Sequence, residues 1–375
     1  MRGGRALMWG LAGAIGWSYA GYPLAAAVAA RLRGYVPRRD DFYAPDVALV
    51  IAAHDEEGVL SERLENALAL DYPGRVEVIV ASDGSEDRTS EVAERFADRG
   101  VRLLELPRVG KVAAQDAAVA ATSSEVIAFT DANTRWEPDA LRLLIRSLAD
   151  PEVGYVCGRL SLDGENGANR EGLYWSFELW LREQESACGS ITAGNGAIYA
   201  LRRSAYLDLG SERSHDLGLP FRLRRRGLRS VYDSEPVAHE PALPSTDDEW
   251  PRKVRMLSRA WGEVLEGGIL DPRGQPPGYF VALVSHRALR YAAGALHVLL
   301  LATTLARAPR DVQARLLLGL QASGLALALA GRKTEARIPL GDTAWYYLVV
   351  NAASVAGLAR MLTSGPDSTW TPERP

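Results

Sequence analysis

From about residue 46 to residue 275, short apolar runs alternate with charged stretches of helical period. VALVIAAH at 47–54 is apolar throughout, as a strand covered on both faces must be, and VLSERLENALAL at 59–70 carries its apolar residues three and four apart. VEVIVAS at 76–82 predicts a second strand, TSEVAERFADRG a helix stopped by Gly100, VRLLEL a third strand, KVAAQDAAVAAT a helix and EVIAFTDAN a fourth strand. Strand, helix and strand in repeated succession predict an α/β domain with a mainly parallel sheet covered by helices.

The pattern changes at both ends. No charged residue occurs from Ala6 to Ala30, a run long enough to cross about 30 Å of hydrocarbon and longer than the apolar core of a signal peptide. It predicts an N-terminal membrane anchor. Arg31, Arg33, Arg38 and Arg39 follow it against Arg2 and Arg5 before it, which places the following domain in the cytoplasm by the positive-inside bias. Near the other end, apolar runs at Tyr291–Ala306, Leu316–Gly331 and Thr343–Ala359 are joined by short Arg-containing connections, as in a helical bundle in lipid. The charge rule does not orient that half. The segment PPGYFVALVSHRALRYAAG before it fits either an interfacial helix with its arginines level with lipid phosphates or ordinary snorkelling side chains. The expected organisation is an anchor and basic linker at 1–45, the α/β domain at 46–275, an interfacial helix with spans at 276–365 and a tail at 366–375.

Composition narrows this picture only slightly. Forty-three basic residues against 47 acidic give a net charge of −4, so the basic footprint of a nucleic-acid binder is absent. Cys157 and Cys188 lack the paired spacing of a zinc site, which leaves a reducing compartment as the expectation.

Candidate chemistry comes from what ends the strands. Asp55 follows the first, Asp83 the second and Asp131 the fourth. In open parallel sheets ligands bind beyond the carboxyl ends of strands, so three acids recurring there mark a ligand crevice, although any single Asp also suits a cap or turn.

At these residues the chain resembles membrane-bound family 2 glycosyltransferases of the GT-A fold, a group that includes many bacterial polysaccharide synthases. VIAAHDEE resembles the family's opening strand and its acidic turn, which implies donor binding at Asp55 and Glu56; ASDGSEDRT resembles its Asp-Asp-Gly-Ser motif with Ser82 in the first place and Asp83 as the nucleotide-binding acid. VGKVAAQDAAV is similar to the segment beside the nucleobase, through Gly110 and Lys111. FTDANTRW resembles the Asp-x-Asp motif, with Asp131 toward ribose and metal and Asn133 in the third place. AGNGAIYALRRSAY resembles the acceptor-side segment through Gly194, Asn195 and Gly196, and SHDLGLPFRLRRRGLR the region of the catalytic base, assigned to Asp216. RKVRM at 252–256 resembles the Gln-x-x-Arg-Trp motif, putting Arg252 and Arg255 on the diphosphate; the first Gln and the final Trp are missing, which points away from long processive synthesis.

The resemblance implies an inverting transfer from a nucleoside diphosphate sugar, UDP by expectation, to a lipid-linked or glycan acceptor at a bacterial cell membrane. Mg²⁺ or Mn²⁺ is expected at Asp131 and Asn133, because a leaving diphosphate concentrates charge that a hard cation offsets; an amide in place of the second carboxylate weakens such a site. His215, beside Asp216, is the competing candidate base. Two rivals remain: a nucleotidyltransferase, whose Gly-rich phosphate loop has only Gly58 to represent it in AAHDEEGV, and a decayed membrane partner, which Ser82 and Asn133 favour.

Overall fold

The computed structural model describes residues 2–163, 172–241, 250–333 and 340–365; the expected tail at 366–375 lies outside them. The chain begins with helix α1 (Arg2–Gly16), a π-helical turn at Trp17–Gly21 and α2 (Tyr22–Arg33), closed by Gly34 at a φ of 58°. The α/β domain follows as β1 (Val47–Ala53), α3 (Leu60–Leu68), β2 (Val76–Asp83), α4 (Thr89–Glu94), β3 (Val101–Leu106), α5 (Lys111–Ala120) and β4 (Val126–Asp131). It continues through β5 (Arg135–Trp136), α6 (Ala140–Ile145), β6 (Val153–Asp163), α7 (Gly172–Ala187), β7 (Tyr199–Arg202), α8 (His215–Arg225) and β8 (Arg229–Pro241). Next come α9 (Trp250–Leu265), α10 (Pro277–Ala282), a second π-helical segment at Leu283–Ala288, α11 (Leu289–Arg307), α12 (Val312–Lys333) and α13 (Gly341–Ser364).

The expected order of strands and helices up to β4 is present, with boundaries within a few residues. The sheet runs β3-β2-β1-β4-β7-β6-β8-β5, with β3, β2, β1 and β4 parallel, β7 antiparallel to both its neighbours and β6 parallel to β8. Every residue of β1 is buried, because helices cover both faces. Leu49 and Ile51 face a core shared with Leu60, Leu64 and Leu144, while Ala48 and Val50 face one shared with Ala114, Ala118 and Leu219. An irregularity in β6 between Cys157 and Arg159 lets the chain around Gly194 approach, since Asn195 Nδ2 donates to the Gly158 carbonyl at 2.7 Å.

Four apolar runs were expected to cross the membrane, and all four are helical. Among the described residues two continuous helical stretches, Pro277–Arg307 and Val312–Arg332, are long and apolar enough to do so by length and composition. The runs at Ala6–Ala30 and Thr343–Ala359 pack against these: Met8 and Leu11 meet Leu300 and Ala314, and the bare backbone of Gly294 in α11 lets Asn351 of α13 come close. The segment expected at the interface is not separate from the first C-terminal span; α10, the π-helical segment and α11 form one continuous helix. His286, Arg287 and Arg290 on it are buried against α7 instead of reaching lipid or water. The amphipathic α9 docks on α13, where Trp261 Nε1 donates to the Ser354 carbonyl at 3.0 Å and Gly357 leaves room for the α9 backbone.

Candidate active site

The crevice is built on the carboxyl ends of β1, β2 and β4. Asp55, in the left-handed region at a φ of 51°, is held there by its neighbours: its N–H donates to Ser85 Oγ at 3.2 Å and its Oδ1 accepts from the Glu86 N–H at 2.8 Å. Glu56 is buried with its N–H on Thr89 Oγ1, so the two loops after β1 and β2 are laced into one floor.

Asp83 is also buried, and its oxygens accept from the backbone N–H groups of Val109 and Gly110 at 2.6 and 3.0 Å. Those bonds fix the turn in which Gly110 adopts a φ of 93°, a conformation that favours glycine, and thereby aim the next side chain. That side chain is Lys111, whose ammonium pairs with Asp131 Oδ1. Ser82, in the place of a motif acid, donates to Ser85 Oγ at 2.9 Å.

Asp131 has company that the sequence reading missed. Glu240, near the end of β8, is buried and accepts from Thr134 Oγ1 at 2.8 Å; burial and the charge of Asp131 push its carboxyl above the usual range, with Arg252 and Lys111 pulling the other way. The signal was available, an acid closing a strand just as in the three noticed cases, but only the sheet order brings β8 round to β4. Asn133 is exposed beside this pair. Arg252 is thus within electrostatic reach of Glu240, and Arg255, one turn further along α9, is half-buried. Arg63 of α3 is buried over the Trp136 ring at 5.5 Å, and desolvation lowers its guanidinium to about 9 against the pull of Asp131.

The segment 194–196 spans from this acid group to α8. A β-carbon at Gly196 would lie 3.8 Å from Lys111 Nζ, and the Gly194 N–H donates to the Asp216 carbonyl at 2.8 Å. A β-carbon at Gly194 would collide with the Tyr155 hydroxyl. Asn195 points inward, its Oδ1 accepting from the N–H groups of Ala197 and Ile198 at 3.1 and 2.9 Å, so it shapes the segment from within.

Asp216 is half-buried in the first turn of α8, where the helix N-terminus favours an anion. His215 is buried in an aromatic nest: Tyr199 Oη sits 2.8 Å from Nδ1, Tyr206 Oη 3.3 Å from Nε2, and Phe129 stacks edge-on with centroids 5.4 Å apart. Desolvation, reinforced by Lys111, pushes its imidazole down to about 3. The ring is neutral at physiological pH and both its nitrogens are engaged, so the geometry favours Asp216 over its neighbour as the group that meets solvent.

The mainly parallel sheet, with acids at its strand ends and a Gly-Lys turn aimed at one of them, has the architecture of the GT-A fold. Residues 48–210 match the family model described as Glycosyl transferase family 2. Among similar proteins, an N-acetylglucosaminyltransferase of Rhizobium meliloti is 32% identical over 180 residues, which cover 44% of this chain and 41% of that protein. A beta-monoglucosyldiacylglycerol synthase of Trichormus variabilis is 28% identical over 244 residues, covering 59% of this chain and 50% of its own length. The chain thus spans about half or less of the length of these relatives. A mannosyltransferase from Pyrobaculum calidifontis, solved in complex with GDP-Man and Mn²⁺, shares the fold at a TM-score of 0.73 and 22% identity, with 95% of this chain and 99% of that one covered.

The buried His215 yields a stability prediction. Its folded value near 3 lies below the ordinary imidazole value near 6.5, so between the two the unfolded chain binds more protons. This contribution is complete above about pH 6.5 and is lost as pH falls toward 3, at up to about 1.4 kcal/mol per pH unit. Melting curves from pH 7 to pH 4 should therefore show a steeper acid loss in the wild type than in His215→Gln; parallel curves would remove the imidazole from the account.

Proposed function

We propose that this protein is an inverting glycosyltransferase that moves a sugar from a nucleoside diphosphate donor, UDP being the carrier to test first, to a lipid-linked or glycan acceptor at a membrane. The observation that carries this reading is the strip 194–196, which has the Lys111–Asp131 pair at one end and Asp216 at the other. Donor and base so placed suit a displacement in one step. The acceptor oxygen bonds to the anomeric carbon as the bond from that carbon to the diphosphate oxygen breaks, and the electron pair leaves with the diphosphate. The acceptor proton passes to Asp216.

The chain's residues divide the work of binding. Asp55, Glu56 and the Asp83-fixed turn form the wall for the nucleotide; Asp83, with its oxygens on backbone amides, acts by holding Gly110 and Lys111 in place. Arg252 and Arg255 on α9 are the cations for the diphosphate; the strip 194–196 forms the acceptor side, with Gly194 letting the Tyr155 hydroxyl close behind it and Gly196 lying open beside Lys111.

The donor set fits a divalent cation. Asp131 and Glu240 bring two carboxylates within electrostatic reach of each other; burial first, and then the charge of Asp131, raise the Glu240 carboxyl, and a hard cation offsets both. Asn133, two residues beyond Asp131, adds an exposed amide whose carbonyl oxygen is a neutral donor. When bound there, Mg²⁺ or Mn²⁺ supplies charge stabilisation to the leaving diphosphate. The similar mannosyltransferase was solved with Mn²⁺, and relatives named beta-monoglucosyldiacylglycerol synthase and poly-beta-1,6-N-acetyl-D-glucosamine synthase support a lipid or glycan acceptor. We place the run Ala6–Ala30, in α1 and α2, together with α11, α12 and α13 in the membrane with the α/β domain on the cytoplasmic side, on the strength of the apolar stretches and the arginines after Ala30.

Measurement of donor binding and turnover on purified protein tests the assignment. Asp216→Asn keeps the shape and loses the base, so turnover should fall about 10²–10⁴-fold with donor affinity little changed; near-normal turnover at saturating acceptor would exclude Asp216 as the base. Chelation should abolish transfer and Mn²⁺ or Mg²⁺ restore it, with Asn133→Asp needing less metal for half-maximal rate; full activity in excess chelator would rule the cation out. A cysteine introduced near Asp40 should react with an impermeant reagent only after the membrane is permeabilised, and labelling of intact cells would reverse the topology.

A further inference from the structure

Between α7 and the membrane-side helices lies a buried charged seam that the sugar-transfer chemistry leaves unused. Glu185 Oε2 accepts from the N–H and hydroxyl of Thr192, both at 2.9 Å, and His286 lies between Glu185 and Glu178 at 2.7 and 3.1 Å. Arg290 pairs with Glu178, and Arg287 Nε donates to Thr192 Oγ1 at 2.9 Å. Arg287 and Arg290 thus lie with Glu178 and Glu185, and the charges of Arg182 and Arg287 both bear on His286 between those glutamates. Each is at least nine-tenths buried.

Their hydrogen bonding is incomplete. Among the described residues, Arg182 has Nε and Nη1 buried without a hydrogen-bond partner, its guanidinium lying over the Tyr232 ring at 5.7 Å; Arg287 leaves Nη2 bare, and Arg290 leaves Nε. A buried guanidinium N–H without an acceptor costs free energy, and several together, with an excess of positive charge, are what an absent anion would satisfy. The backbone is unusual at the same place. The two π-helical segments, Trp17–Gly21 and Leu283–Ala288, meet there through Trp17 Nε1 and Ser285 Oγ at 2.9 Å.

The seam also borders the reactive strip. Thr192 lies two residues before Gly194, and the opposed charges of Arg182 and Asp216 both bear on Tyr155, whose buried hydroxyl has no partner and abuts Gly194. An anion held by Arg182 and Arg287 would have the rest of its molecule close to the base and its other end among membrane helices.

We propose that Arg182 and Arg287 bind a phosphate group carried by the acceptor, at the seam between α7 and the helix Pro277–Arg307. This rests on reading the chain as a membrane glycosyltransferase and names the class of acceptor. The planar fork of arginine suits a phosphate better than a neutral headgroup does.

The full chain in phosphatidylcholine nanodiscs is titrated with dodecyl phosphate, dodecanol and inorganic phosphate, with melting temperature and binding as readouts and nucleotide-sugar binding measured on the same samples. Dodecyl phosphate should bind and stabilise where dodecanol does not, and Arg182→Gln and Arg287→Gln should each weaken it at least about tenfold. Arg182→Lys and Arg287→Lys keep the charge without the fork and should recover part of the affinity; they carry the test if a Gln variant fails to fold. Inorganic phosphate binding as tightly as dodecyl phosphate, and losing affinity in the same variants, would keep the phosphate site and assign it to a soluble source. Equal stabilisation by dodecanol, or wild-type affinity in folded Gln variants, overturns the proposal. Donor binding without dodecyl phosphate binding sinks this inference alone, whereas failure to bind any nucleotide-sugar sinks the transferase reading.

Discussion

The Glu185 carboxylate is the point on which the parts of this molecule converge. It is buried, and accepts from Tyr22 of α2 at 2.7 Å, from Thr192 just before the strip 194–196, and meets His286 on the long helix that continues into α11. Burial alone would raise its carboxyl, but the opposing effect of His286, Arg287 and Tyr22 holds it down at about 2. An ionised acid in such a place cannot be left partly bonded, so the three elements are held in one arrangement. The strip 194–196 inherits its position from that requirement.

This explains why the α/β domain and the helices act as one unit. Apolar contacts alone could slide: Leu181 of α7 against Tyr22 and Ala26, Trp261 of α9 against Met361. Directional bonds remove the freedom, through Glu185 on one side and the Trp261 indole on the Ser354 carbonyl on the other. On the far side of α8, Glu263 is buried beneath Arg222 at 3.0 Å, tying the helix that carries Asp216 to α9.

Within the crevice, adjacent residues are sent to opposite fates by their surroundings. His215 turns into the nest of Phe129, Tyr199 and Tyr206 and loses its ability to take a proton near neutrality, while Asp216 stays half-buried at a helix N-terminus. Asp83 and Asp131 show the same division. Asp83 spends both oxygens on backbone amides, and Asp131 meets an ammonium and, at longer range, a second carboxyl.

Much of this was legible in the residues themselves. Apolar runs of strand length, separated by helices of period 3.6, fix an α/β order because each strand must be covered on both faces, and an acid directly after such a strand must emerge at its carboxyl end. The motif order from Asp55 to Arg255 therefore follows the same strand ends and the strip beside them. What the pattern could not express was pairing across distance. Glu240 joined Asp131 only because the sheet places β8 beyond β7 and β6, and Arg287 and Arg290, around the start of α11, looked like residues for lipid or water until α7 supplied buried glutamates for them. Local sequence determines period, charge and chain direction; which buried charge faces which is decided by packing, since the partner lies about a hundred residues away and the cost of leaving either group alone is felt only once both have lost their water.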